Sequence, residues 1–176
     1  MPGDKPSCVA SLKRRLPDNQ QERLKTIGWI TGYVDGEGCF SVSFIKNATT
    51  KSGWQIFPEF VVTQGGKSKV SLEFLQHFFG CGKIFVNRRY DNHREHIYRY
   101  CVRSQGELLN IIIPFFKQHT LRTAKQEDFK HFANILHQMQ LKKHLTLRGM
   151  RSIARRVEKM NQQKTSRFLE SSETKC

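Results

Sequence analysis

The 176-residue sequence predicts an α+β fold of order αββαββα, in which helices cover one face of an antiparallel sheet. Three observations lead there. Segments with helical spacing of apolar residues alternate with segments of strict period-two spacing. The period-two segments come in pairs joined by short polar stretches, as hairpins do. Each strand is apolar on one side only, so the sheet needs a single helical cover.

Residues 1–20 are polar and proline-punctuated, predicting a flexible N-terminal arm; residues 21–162 form one domain and 163–176 a polar C-terminal tail. From Gln21 to Val34, the residues Leu24, Ile27, Ile30 and Val34 follow helical spacing, with Gly28, Gly32 and Gly36 forming a separate stripe. Glycine inside a helix costs up to about 1 kcal/mol against alanine. Three in register therefore predict that another backbone packs on that stripe. The same helix ends on two acids, Asp35 and Glu37, although a like charge beside its negative C-terminus costs about 0.3–1 kcal/mol. Two such helix ends presented together to bound cations would resolve both oddities.

"CFSVSFIKN" (39–47) alternates as a strand with Phe40, Val42 and Phe44 inward, and "NATTKSG" (47–53) turns into a second strand, "WQIFPEFVVTQ". Pro58 predicts an edge or bulged position there. "KVSLEFLQHFFG" is a helix with Val70, Leu72, Leu75, Phe78 and Phe79 in order and Gly80 as its stop. A second hairpin follows, "GKIFVNRR" and "HIYRYCVRS" around "YDNHRE", with Ile84, Val86, Tyr98, Tyr100 and Val102 inward. Ser104 and Glu107 form a capping box, and Pro114 should end or kink the helix it opens. Helices over about Thr123–Gln140 and Leu145–Asn161 complete the domain. The last is apolar at Met150, Ile153, Val157 and Met160, and reads as a core-capping helix with a solvated basic face.

The outward sheet face carries Ser41, Ser43, Ile45 and Asn47, then Gln55, Phe57 and Glu59. The second hairpin adds Lys83, Phe85, Asn87 and Arg89, then Arg99 and Arg103. With 30 Lys and Arg against 15 Asp and Glu, the net charge of +15 makes nucleic acid the natural partner of that face. Antiparallel ribbons can enter the major groove, where such side chains reach base edges. No long apolar run or secretory signal appears, so a membrane partner is not expected and the chain reads as intracellular. The five cysteines are scattered without a CxxC pair, which predicts reduced thiols, and His93 and His96 lie in a polar loop without companion ligands.

"ITGYVDGEG" (30–38), "FVVTQGGKS" (60–68) and "PFFKQHTLRTAKQEDF" (114–129), in this order, resemble the LAGLIDADG homing endonucleases, specifically the single-motif, homodimeric, group I intron-encoded type. The resemblance implies a β-sheet saddle on double-stranded DNA. It implies a homodimer packed through Gly28, Thr31, Gly32, Asp35 and Gly36, with the motif helices side by side. It assigns Glu37 and the Gly36 carbonyl to Mg²⁺, with Mn²⁺ or Ca²⁺ able to substitute in binding, and Asp35 to a structural role. Gln64 matches the position that holds the attacking water, and Lys125 is the first choice for the basic residue beside it. Arg122, Lys67 and Lys69 are the alternatives, the two lysines also fitting phosphate contact.

The implied reaction is a double-strand break with short 3′ overhangs in a long pseudo-palindromic site. The intron-less allele of the host gene, a ribosomal RNA gene among the candidates, would be the target. The sequence departs from the family pattern in having Ile30-Thr31 for the leading Leu-Ala and Glu37 for the final Asp, which keeps the carboxylate. Two rival functions use the same fold: an RNA maturase acting on its own intron RNA, and a non-catalytic DNA-binding regulator. The intact Glu37 and Gln64 favour cleavage over both. Bacterial cytoplasm, chloroplast and mitochondrion all fit as compartments.

Overall fold

The computed structural model describes residues 20–88, 96–160 and 168–169. Arg89, His93 and the loop around them, the N-terminal arm to residue 19 and most of the tail lie outside the described residues. Helix α1 (Gln20–Glu37) runs directly into β1 (Gly38–Lys46), which turns into β2 (Trp54–Gly65). A 3₁₀ turn leads to α2 (Lys69–Phe79), then β3 (Lys83–Asn87) and β4 (Ile97–Val102) follow. A continuous helical rod comes next: α3 (Gln105–Glu107), a π turn (Leu108–Ile112) and α4 (Ile113–Gln118). Helices α5 (Lys125–Gln140) and α6 (Leu147–Val157) complete the described fold.

The four strands form one antiparallel sheet in the order β1-β2-β4-β3. β2 is central, yet its pairing with β4 begins only at Phe60, opposite Val102, so Pro58 lies beyond the end of β4 with a strand on one side only. The expected edge environment is thus local, and the β1–β2 register runs through Pro58 without a bulge. The inward face packs Phe40, Phe60, Val62, Tyr100 and Val102 against Leu72, Leu75, Phe116, Phe132 and Leu136. Stacked and edge-to-face rings, Phe40 with Phe60 at 5.1 Å and with Phe116 at 5.5 Å, join sheet to helices.

Punctuation behaves as the residues dictate. Gly80 ends α2 in the left-handed conformation at φ 63°, and the Ser104 hydroxyl accepts from Glu107 N–H at 3.4 Å. Pro114 neither ends the rod nor leaves it regular. Lacking an N–H and crowding the preceding turn, it follows a π turn that widens the helix. No described helix is long and apolar enough to cross a membrane, and Cys39, Cys81 and Cys101 are not joined in disulfides.

Three inward assignments need correction. Leu24 is 61% exposed because it precedes Gly28 by four residues and so lies on the glycine stripe. Val70, in the first turn of α2, is 72% exposed beside Trp29, and Val86, near the end of the edge strand β3, is 45% exposed.

At the α1–β1 junction the backbone folds back so tightly that a Cβ on Gly38 would lie 2.7 Å from the Val34 carbonyl oxygen. Gly38→Ala is therefore expected to cost about 1–3 kcal/mol, as overpacking does. It should appear as a lower urea midpoint at unchanged slope.

Candidate active site and nucleic-acid interface

The site grows from the C-terminal end of α1, whose last turn contains no basic residue. A cation from elsewhere takes that place. The Lys125 ammonium, from the start of α5, donates to the Val34 carbonyl at 3.0 Å and to the Gly36 carbonyl at 3.2 Å. Asp35 returns the favour. Its carboxylate accepts from Arg122 N–H at 2.8 Å, Thr123 N–H at 3.3 Å and the Thr123 hydroxyl at 2.5 Å, pinning the segment that leads into α5. Each helix end thus carries the other's complementary charge.

Titration follows this wiring. Burial pushes the Asp35 carboxyl up, but the bonds from Thr123 and Arg122, with the charge of Lys125, outweigh it and hold the group below its ordinary value. Burial is the largest influence on Lys125 and lowers its pKa, against the opposing pull of Cys39, Asp35, Glu37 and Asp128.

Glu37 stands exposed where α1 meets β1, close enough to Lys125 and Tyr33 to influence both. Gln64, at the end of β2 on the inward side, is partly buried and close enough to Tyr33 to influence its titration. The fold therefore brings Glu37, Gln64 and Lys125 to one end of α1. Lys69 is turned elsewhere, paired with Glu73 at 2.8 Å and lying over the Tyr98 ring. Arg122 contributes its backbone N–H to Asp35.

The donors available to a cation are hard oxygens, the Glu37 carboxylate and the Gly36 carbonyl, which suit Mg²⁺ or Ca²⁺. The Gly36 oxygen already accepts from Lys125, and its second lone pair remains for a metal. Among the described residues no cluster of three or more His, Cys, Asp or Glu could hold a metal. The glycine stripe is open as well: a Cβ added at Gly28, Gly32 or Gly36 meets nothing within 4 Å. Thr31 closes its hydroxyl onto the Ile27 carbonyl at 2.7 Å and presents only its methyl side to a neighbour.

The outward sheet face has the parity read from the sequence. Ser41 lies opposite Glu59, Ser43 opposite Phe57, Ile45 opposite Gln55, and Phe85 opposite Arg99. Cys39, Val61, Thr63, Ile97 and Cys101 share the face by the same alternation. Glu59 differs from its expected setting. Placed among the DNA-facing side chains, it is 7% exposed, and its carboxylate receives Arg99 at 2.9 Å and, in a short contact, Arg103. Arg103 also covers the Phe85 and Phe57 rings at 4.8 and 5.5 Å. Glu59 thus orients two arginines. At the hairpin end Asn47 donates to Gln55 at 3.0 Å and accepts from Thr49 in a local turn.

A family profile described as LAGLIDADG endonuclease matches residues 30–136, which include Asp35, Glu37, Gln64, Glu59 and Lys125. The chain belongs to the LAGLIDADG endonuclease family. A probable intron-encoded endonuclease 2 from Neurospora crassa is 34% identical over 127 residues, 71% of this chain and 27% of that protein. The homing endonuclease I-TnaI superposes with a TM-score of 0.73 at 36% identity, covering 84% of this chain and 96% of that one. I-SmaMI bound to uncleaved target DNA in the presence of calcium ions gives 0.73 at 32% identity, over 84% and 48% of the two chains. The chain thus spans about a quarter of the Neurospora relative, half of I-SmaMI and nearly all of I-TnaI.

Removing the Asp35 carboxylate leaves the segment entering α5 without its acceptor. Asp35→Ala should lower stability by about 1–3 kcal/mol, the range for donors left without a partner. Because the folded-state pKa is depressed, the stabilisation is present above the ordinary carboxyl range and is lost as pH falls through the lowered value. The wild-type advantage in thermal melts should therefore hold above about pH 5 and shrink as pH falls below about 4.

Proposed function

We propose that this LAGLIDADG protein is a site-specific homing endonuclease that acts as a homodimer on double-stranded DNA. It makes a metal-dependent double-strand break with short 3′ overhangs in a long pseudo-palindromic site. The observation that carries this reading is the exposed Glu37 carboxylate at the end of a helix whose glycine stripe is open, with Gln64 and Lys125 gathered beside it. Packing two such helices on their stripes puts two acids near a twofold axis, one for each DNA strand.

A Mg²⁺ ion held by Glu37 and the Gly36 carbonyl would supply an activated water and a stabilised leaving oxygen. Gln64 holds the attacking water, while Lys125 keeps positive charge beside the scissile phosphate. The sheet face reads bases, with Arg99 and Arg103 aimed by Glu59 and with Ser41, Ser43, Gln55, Lys83 and Asn87 around them. Lys67 and Lys69 serve phosphate contact. I-SmaMI bound to uncleaved target DNA in the presence of calcium ions supports both the DNA partner and the cation. The relatives' description as intron-encoded supports an intron-less allele as target.

A second reading, intron RNA binding, is favoured by one observation. Arg148, Arg151, Arg155 and Lys159 line a groove of about 630 Å³ along α6 and form no ion pair among the described residues. The opposite side of α6, Met150, Ile153 and Ala154, is buried in the core, so this groove looks away from the sheet.

Two outcomes are expected on a duplex that joins the sequences flanking the intron that carries this reading frame. Glu37→Gln should bind it with a near-normal salt slope of about −0.9 per neutralised phosphate, while cutting falls at least about 100-fold. Retained metal-dependent cutting would remove Glu37 from the reaction. Gly32→Leu should turn a dimer into a folded monomer in sedimentation, and a wild-type protein that is monomeric both free and on DNA would defeat the helix-pairing reading.

A further inference from the structure

Glu59 holds its two arginines in different ways. It lies on β2 opposite Ser41 of β1, and its carboxylate meets Arg99 of β4 and Arg103 just beyond that strand. Arg99 reaches one carboxylate oxygen with Nη2, a terminal nitrogen, at 2.9 Å. Arg103 reaches the other oxygen with Nε, the inner nitrogen. Arg99 has therefore committed half of its end-on fork, whereas Arg103 keeps its Nη pair for a bidentate contact. The Phe85 and Phe57 rings, with centroids 4.8 and 5.5 Å from the Arg103 guanidinium carbon, restrict the plane of that fork.

The ligand follows from the donor pattern. Two parallel donors in one plane need two adjacent acceptors. In the major groove guanine offers them, N7 and O6. Adenine places a donor beside its N7, thymine has O4 next to a methyl group, and cytosine presents a donor. A phosphate also has paired acceptors, but the Glu59 carboxylate offsets the charge of Arg103 and would repel a phosphate held there. Donors of fixed direction and offset charge suit a base edge.

We infer that Arg103 reads a guanine in each half of the DNA site, with Glu59 as its positioning residue. This rests on the site-specific DNA reading given above. It narrows that reading from a face of many polar side chains to one arginine and one base.

The test needs no cleavage and is run in EDTA, measuring affinity for the flank-joined duplex and for versions with each base pair replaced in turn. Wild-type protein should prefer guanine at one position of each half-site by about tenfold or more. Arg103→Lys keeps the charge and loses the fork. It should erase that preference, leaving the preferences at other positions and the salt slope unchanged. Glu59→Gln keeps the shape but removes the counter-charge and one acceptor. It should weaken the same preference while affinity for unrelated DNA rises.

A guanine preference that survives in Arg103→Lys would overturn the assignment. So would a loss of affinity in Arg103→Ala that is equal for every sequence and comes with a shallower salt slope, the mark of a phosphate contact. A wild-type profile in Glu59→Gln would remove its positioning role. Wild-type protein that binds every duplex alike would instead sink the site-specific reading on which the inference rests.

Discussion

The exchange of hydrogen bonds between the end of α1 and the entry to α5 is the contact on which the site depends. A helix that ends on two acids with no cation of its own would fray at its C-terminus. Lys125 crosses from α5 to take the Val34 and Gly36 carbonyls, and Asp35 crosses back to the backbone of Arg122 and Thr123. The end of α1 and the entry to α5 are thereby joined at one corner, beside Glu37. Gly38 completes the arrangement, since only a residue without Cβ lets β1 leave so close to Val34.

The sheet face obeys the same economy of charge. Glu59 lies under the outward surface and holds Arg99 and Arg103 through one carboxylate, while Phe57 and Phe85 support the Arg103 guanidinium from the side. A buried acid with two arginines is costly to desolvate and is tolerated because both oxygens are bonded. Its effect is to restrict two long side chains before any ligand arrives, which lowers the ordering cost of binding.

Much of this was legible in the sequence. Strand parity, hairpin pairing, the Gly80 stop and the Ser104 cap follow from local rules, and they put Ser41, Ser43, Gln55, Phe57, Lys83 and Phe85 on one face. The motif brought Glu37 to the helix end, and the match to family patterns brought Gln64 and Lys125 beside it. What escaped were properties set by contacts distant in sequence. Alternation told the side of Glu59 but not its depth, which comes from Arg99 and Arg103 some 40 positions away. Leu24 and Val70 satisfy helical spacing yet stay exposed, because periodicity cannot say where the core stops.

The central claim is that each chain's Glu37 cuts one strand. Mixed dimers of one wild-type and one Glu37→Gln protomer, isolated by two affinity tags and given the flank-joined duplex with Mg²⁺, test it most directly. The account predicts a nick in a single strand at the site where the wild-type dimer cuts both. A full double-strand break by the mixed dimer would contradict it.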